Sequence, residues 1–404
     1  MPIAPWRRNL YAVAGATFLG YSSFTMVMPF LPLYFQELGV HDVGEIAMWS
    51  GLSLGVTPAV TAALAPTWGR LADRFGQKIM ILRSLVSFVL LMVALANVSA
   101  AWQVFALRAV QGLVAGYGGL ALAMAAELAP VEQVAGAIGL VQTVQRLGPA
   151  LGPALGGALA GLVGIRHSFY VASCAYALAA LWLFFGYREQ RARRTGAATN
   201  AQQAAALDLR GMARLENGVM ILCGVFALQV AERGLGPALP LQVAASVGES
   251  RAAIVAGTLF SLIAGAGAVA NLTVSWWLRQ ASARTMVTAA SAVAALGVVP
   301  LAFATSWPVL VTAAVVFGAG MGLATTVLYA VAGRVIPATS RSKGFGYLTS
   351  ASLAGVSISP VVAGFVGAAS LRAVFLGSSV VLAGLAVASY ARIRGAAAQR
   401  PGGD

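Results

Sequence analysis

Gly69-Arg70-Leu71-Ala72-Asp73-Arg74-Phe75-Gly76-Gln77-Lys78 is a polar interruption between two apolar runs, 47 to 69 and 78 to 98. A hydrocarbon core of about 30 Å takes about 20 apolar residues as a helix, so each flanking run can cross a bilayer. The interruption is then a tight loop on one membrane face. Apolar runs of the same length follow one another along the whole chain, and the composition agrees. Of 404 residues, 59% are hydrophobic and 9% charged, and the mean hydropathy is +0.83. A soluble chain needs roughly a quarter charged residues to cover its outside. A soluble enzyme and a single-anchor protein are therefore excluded.

The pattern predicts an all-α membrane protein of twelve transmembrane helices. The expected spans are 11 to 36, 47 to 69, 78 to 98, 102 to 126, 134 to 162, 168 to 187, 217 to 245, 252 to 278, 284 to 304, 308 to 333, 342 to 368 and 371 to 391. Arg7 and Arg8 before an apolar run resemble the start of a signal peptide. No small-residue cleavage site closes a short core, however, so the run reads as the first span. Residues 188 to 216 read as a polar cytoplasmic linker, with room for a short surface helix.

The formal net charge of +14 and pI near 10.7 raise the question of nucleic acid, which the distribution of charge answers. With a cytoplasmic N-terminus, only Arg166, Arg251 and Arg372 of the 26 Lys and Arg lie outside, and Arg108, Arg146 and Arg233 lie within spans. The others are assigned to the N-terminus, the even-numbered loops and the C-terminus. That is a positive-inside distribution in a plasma (inner) membrane, with both termini cytoplasmic and anionic lipid as the neighbour of the basic residues. No nucleic-acid partner is needed. Cys174 and Cys223 fall in apolar spans and read as packed, reduced thiols, and no metal site or cofactor is expected.

The two halves repeat at a shift of 205 to 208 residues. Pro29 and Pro32 match Pro237 and Pro240, Trp102 matches Trp307, and Gly112 and Gly116 match Gly318 and Gly322. Further on, Pro130, Gly139, Gly148 and Pro153 match Pro337, Gly346, Gly355 and Pro360. A parallel repeat of six plus six helices implies two pseudo-symmetric bundles, 1 to 187 and 217 to 404, with a site between them.

The loop that begins at Gly69 resembles the G-x-L-A-D-R-x-G-R/K-K pattern between the second and third helices of the major facilitator superfamily, with Gln77 alone off-pattern. The resemblance implies a cytoplasmic latch of Gly69, Asp73, Arg74, Gly76 and Lys78, with Arg341 as partner at the start of the eleventh span. The corresponding loop of the second half, 275 to 284, has lost its acid, so the latch is expected to be asymmetric. Arg108-Ala109-Val110-Gln111-Gly112 resembles the family's R-x-x-Q-G motif, which implies a role for Arg108 in proton coupling or in ordering a polar network. Snorkelling to the near interface is the alternative for an arginine so close to a span end.

In the fifth span Gly139, Gly148, Gly152, Pro153, Gly156 and Gly157 resemble the antiporter motif of the family's exporters. Gly148, Gly152 and Gly156 recur every four residues, so a neighbouring backbone can come close, while Pro149 and Pro153 permit a bend. Over most of its length the chain resembles the drug/proton antiporters of this superfamily, the MdtG-type multidrug exporters. The resemblance implies a proton-coupled, alternating-access exporter of small amphiphilic molecules. A dedicated exporter of one endogenous metabolite is the runner-up, and a non-transporting receptor or scaffold a third reading. No P-loop lysine motif, zinc spacing or nucleophile elbow appears, so an enzyme is not expected.

Glu232 is the only acid deep in a span, and a carboxyl in a partly wet apolar cavity can exchange a proton near neutral pH. The alternative is an ion pair with Arg233 or Arg146. Cavity candidates are Phe24, Met26, Tyr117, Met124, Gln142, Arg146, Phe226, Gln229 and Tyr329. The partners implied are a small-molecule substrate, protons and membrane lipid, for a monomer.

Overall fold

A computed structural model describes residues 4–130, 133–188, 209–215, 217–337 and 341–392. The described chain is helical: α1 (Pro5–Met26), α2 (Leu31–Glu37), α3 (Val43–Phe75), α4 (Gln77–Ala96), α5 (Ala101–Val114), α6 (Tyr117–Leu128), α7 (Val134–Val163) and α8 (Ile165–Gly186) form the first half. The second half holds α9 (Leu209–Arg214), α10 (Gly218–Arg233), α11 (Leu235–Val247), α12 (Glu249–Gln280), α13 (Ala283–Val298), α14 (Trp307–Val335), α15 (Arg341–Ala369) and α16 (Leu371–Arg392). Among the described residues ten helices are long and apolar enough to cross a membrane, or eleven if the bent pair α1 and α2 is one span. The thirty-residue α7 is outside that number. Its Gln142, Thr143, Gln145 and Arg146 dilute its apolarity, but at 1.5 Å per residue its length suffices.

Three expected spans are not continuous. The first bends by 49° between α1 and α2, where Pro29 and Pro32 remove backbone donors. The seventh is interrupted between α10 and α11 at Gly234, and Ser359 of α15 donates to the Val230 carbonyl at that joint (2.6 Å). The fourth divides into α5 and α6 at Gly116, whose φ of +119° suits glycine alone. The expected span 102 to 126 is one membrane crossing, with its helix interrupted at Gly116.

Large apolar side chains such as Leu162, Phe185, Leu272 and Val387 stand exposed around the molecule, which fits a lipid environment and no aqueous one. Cys174 and Cys223 are free, yet they are exposed on this outer surface, so the expectation of packed thiols is corrected. His41 is exposed between α2 and α3, and His167 is exposed in the first turn of α8. The linker is described only at 209–215, where α9 is the short helix for which the sequence left room.

The bundles meet along two seams, α3 on α15 and α7 on α12. Both seams close at the side remote from the chain termini. There Gly51 faces the Pro360 carbonyl and the Gly364 Cα, while Gly257 faces the Pro153 carbonyl and the Gly157 Cα. Gly364 lies against the Ala47 carbonyl as Gly157 lies against that of Ala253. Every residue of one seam is the repeat mate of its counterpart in the other. Small residues let the backbones touch, which dispersion rewards inside a membrane. Toward the termini the same helices carry Gly69, Gly139, Gly265 and Gly346 with nothing within 4 Å of a built Cβ. No close backbone contact of the kind seen in the seams is made at these glycines.

Candidate functional site

A cavity of about 640 Å³ lies between the bundles, and Pro153 and Pro360 of the closed seams belong to its lining. Its walls come from α1, α3, α4 at Phe88, the α5–α6 break, α7, the α10–α11 joint, α12, α14 at Phe317 and α15. Charge enters this wall at Arg108, Glu232 and Arg233, and Glu232 is the only acid among the described lining residues.

Arg108 is held inside the first bundle with 2% of its surface exposed, so it does not snorkel. Its Nε donates to the Ser53 carbonyl (3.3 Å), Nη1 to Gln111 Oε1 (2.7 Å) and Nη2 to Met28 Sδ (3.2 Å). The Phe24 ring lies 5.4 Å from the guanidinium carbon. The position is fixed from behind, because Thr57 of α3 donates to the Arg108 carbonyl (2.8 Å) and Gly112 admits the α3 backbone at Thr57. All these acceptors are neutral. The cation is solvated but not cancelled, and it gives this wall a positive potential.

Glu232 sits in the last turn of α10, half-buried, with Arg233 exposed beside it. No ion pair of Glu232 with Arg233 or Arg146 is present among the described residues. Arg146 is exposed on α7 and not part of the cavity lining, as is Gln142, whereas Gln145 lines the cavity and donates to the Gly118 carbonyl (2.9 Å). Of the other candidates, Phe24 and Tyr117 line the cavity. Met26 and Met124 are buried in the core, Met26 because its backbone meets Gly156 of α7. Phe226 and Gln229 pack at Gly355, and Tyr329 lies 6.3 Å from Phe345, all outside the lining.

The glycines of α7 divide by direction. Gly148, Gly152 and Gly156 lie against α1 at Tyr21, Ser22, Thr25 and Met26, while Gly157 and Pro153 belong to the seam with α12 and Gly139 touches neither. In the polar loop Lys78 donates to the Tyr187 carbonyl (2.9 Å) and the Phe184 carbonyl (3.3 Å), which closes the C-terminal end of α8. Gln77, the off-pattern residue, donates to Glu127 Oε1 (2.8 Å). Gly76 takes a φ of +93° between α3 and α4, Gly69 borders open space, and the Arg74 guanidinium lies over Phe75. The side chains of Asp73 and Arg341, the expected latch pair, lie outside what the structure describes.

The sequence missed Arg83, which was grouped with the second loop but lies almost two turns inside α4, and Trp68 beneath it. It also missed Ser261, whose hydroxyl accepts from the Ala154 N–H (2.9 Å) across the α7–α12 seam. A Gly-Tyr-Gly-Gly cluster at 116 to 119 was the available signal for the broken fourth span. Among the described residues no cluster of His, Cys, Asp and Glu is suited to a metal ion.

Two helical bundles joined by glycine seams around a central charged cavity define a multi-pass membrane transporter, not an enzyme. The chain belongs to the Major Facilitator Superfamily, whose sequence profile matches residues 13–230 and again 221–403. It is 30% identical over 262 residues to multidrug resistance protein MdtG of Proteus mirabilis, a match covering 64% of this chain and 63% of that one. It is 36% identical over 185 residues to MdtG of Yersinia enterocolitica, covering 46% and 45%. The matches thus span less than two thirds of those relatives' lengths. In fold it is similar to a bacterial homolog of the human lysosomal transporter Spinster in an inward-facing, unoccupied conformation, with TM-score 0.76, 16% identity and 97% and 95% of the two chains covered. It is also similar to the nucleoside transporter NupG, with TM-score 0.72, 13% identity and 96% and 100% covered.

Proposed function

We propose that the chain is a proton-coupled, alternating-access exporter of small amphiphilic molecules, a multidrug efflux protein. The observation that carries this is Glu232: a carboxyl on the wall of the central cavity, without an ion-pair partner among the described residues. When protonated it is neutral beside an apolar ligand, and when ionised it draws a proton or a cationic substrate. Names of the relatives and the apolar lining around Phe24, Phe260 and Leu353 support a broad substrate range. One charge moving through 100 mV supplies about 2.3 kcal/mol, and each pH unit about 1.4, which suffices for uphill export.

The distribution of Lys and Arg supports cytoplasmic termini in a plasma (inner) membrane, so the open side faces the cytoplasm and substrate enters there. Residues 1 to 187 and 217 to 404 move as the two rocking units, joined by the linker 188 to 216, and a monomer suffices for the cycle. In the opposite state Asp73 meets the start of α15 near Arg341 and latches the cytoplasmic side. Two cations against one acid on the cavity wall favour a second reading, a dedicated exporter of an acidic metabolite. Proteoliposomes with an imposed pH gradient test the first reading with ethidium as probe. Gradient-driven ethidium movement is expected, and movement indifferent to the gradient refutes it.

A further inference from the structure

The fourth span is broken where it lines the cavity, and its repeat mate is not. Ala115 is extended (ψ −176°), Gly116 turns left-handed, and Ala115, Gly116, Tyr117, Gly118 and Gly119 all belong to the cavity wall. The tenth span, α14, runs unbroken through Gly322, the mate of Gly116. A break inside a bilayer strands backbone carbonyls that lipid cannot satisfy. Here they are taken by two adjacent side chains of the preceding helix, α4. Arg83 Nη2 donates to the Val114 carbonyl (2.9 Å) and the Ala115 carbonyl (3.3 Å), and Ser84 Oγ also donates to Val114 (2.8 Å). A cation is the favoured group at a helix C-terminus, and α5 ends at Val114.

The same guanidinium stacks on Trp68 with its carbon 3.6 Å from the ring centroid. Trp68 precedes Gly69, the first residue of the polar loop, and a Cβ built at Gly116 would stand 3.5 Å from the Trp68 ring. Arg83 is therefore a layer between the end of α3 and the break of the fourth span. The second half has neither residue, since its repeat positions hold Ala289 and Val274. Break, cation and indole occur together in one bundle and are missing together from the other.

We propose that Arg83 is a positioning residue: clamped on Trp68, it holds the break of the fourth span at Gly116 and ties the cavity wall at Ala115–Gly119 to the loop-proximal end of α3. This rests on the alternating-access reading given above. Arg83 Nε and Nη1 are buried without a protein acceptor, so the side chain keeps donors for other carbonyls as the wall shifts. Movement of the polar loop then reaches the cavity through a stacked ring and two hydrogen bonds.

Gly119 lines the cavity and has nothing within 4 Å of a built Cβ, so Gly119→Cys provides a reporter thiol in full-length protein carrying Cys174→Ala and Cys223→Ala. Its rate of reaction with a water-soluble maleimide is read without substrate or gradient, so it stands even if ethidium export fails. Arg83→Met is expected to slow labelling about tenfold, the effect of losing a charged hydrogen bond. Arg83→Lys, which restores a donor but not the stack, should return the rate to within about threefold of the parent. Unchanged labelling in Arg83→Met overturns the proposal. So does a fall in rate that follows a lowered melting temperature and is not rescued by Lys. Should Arg83→Met fail to fold, Trp68→Leu decides: about threefold slower labelling supports the clamp, and an unchanged rate overturns it.

Discussion

Gly51 faces the carbonyl oxygen of Pro360 from the opposite bundle with no side chain between them. Its repeat mate Gly257 meets Pro153 in the same way, so both seams close on bare backbone. Gly257→Leu places four carbons where a single Cβ already overlaps a carbonyl. Overpacking costs about 1–3 kcal/mol, and here the cost falls only on the state with this seam closed. Spin labels at the exposed Leu162 and Ser250, at the remote ends of α7 and α12, should report a population shifted toward longer distances. An unaltered distance distribution refutes the assignment of this seam as a gate.

Gly152→Leu tests the contact within the first bundle, where Gly152 meets Ser22, Thr25 and Met26 of α1. Transport of ethidium should be lost while membrane insertion persists. Gly139→Ala is the internal control: with open space at that Cβ, it should raise stability by about 0.5–1 kcal/mol through helix propensity. Normal transport by Gly152→Leu would remove the tight α1–α7 interface from the mechanism.

Glu232→Gln mimics the protonated carboxyl. Ethidium binding should remain, and the response of transport to an imposed pH gradient should vanish. With no ion pair to Arg146 or Arg233 among the described residues, thermal stability should change by less than about 0.5 kcal/mol. Wild-type coupling in the Gln variant moves attention to Arg108.

Asp73→Asn should weaken the state in which the cytoplasmic side is closed. Cysteine crosslinking between the polar loop and the start of α15 would then fall under conditions that favour that state. Crosslinking yields equal to those of the parent protein would sink the latch.

Lys78→Met leaves the last carbonyls of α8 without their donor. A loss of about 1–2 kcal/mol in a chemical-denaturation midpoint is expected, because the ammonium serves both Phe184 and Tyr187. Retention of full stability would return Lys78 to a role at the lipid surface.

The sequence disclosed what depends on composition and period. Apolar runs, the Lys and Arg bias and the ordered Pro and Gly matches are one-dimensional signals for the helices and the repeat, while the family was read from the resemblance of the 69 to 78 loop, the 108 to 112 stretch and the fifth-span glycines to known motifs. Direction around a helix was harder to read. Met26 and Met124 were plausible cavity residues by height, yet they face the core, and Arg146 is exposed outside the lining that Gln145 reaches one residue earlier. The fixed angle of about 100° per residue sets such differences, but the zero of rotation comes only from packing. Spans 11 to 36 and 102 to 126 both read as single runs, although Pro29 and Pro32 carried a signal for the first interruption that Gly116 alone does not. Glycine is common throughout membrane helices, so one more of it marks no particular break. Arg83 was misread because a cation near a loop looks like a lipid contact until its carbonyl partners are seen.

The two seams match in shape but differ in polarity. Ser261 binds the Ala154 N–H across α7 and α12, and its repeat mate in α3 is Gly55, which has no hydroxyl and lies against the Ser357 carbonyl and the Val361 side chain. A hydrogen bond is directional and fixes the register of the helices it joins, whereas glycine against backbone permits sliding. The molecule is therefore bound like a book along α7 and α12, where the register is fixed, and the broader α3–α15 contact is a fore-edge that carries no such bond among the described residues. Opening toward the outside should begin at the fore-edge and leave the spine for last, so that a bulky solute departs past α3 and α15 and not through a symmetrical mouth.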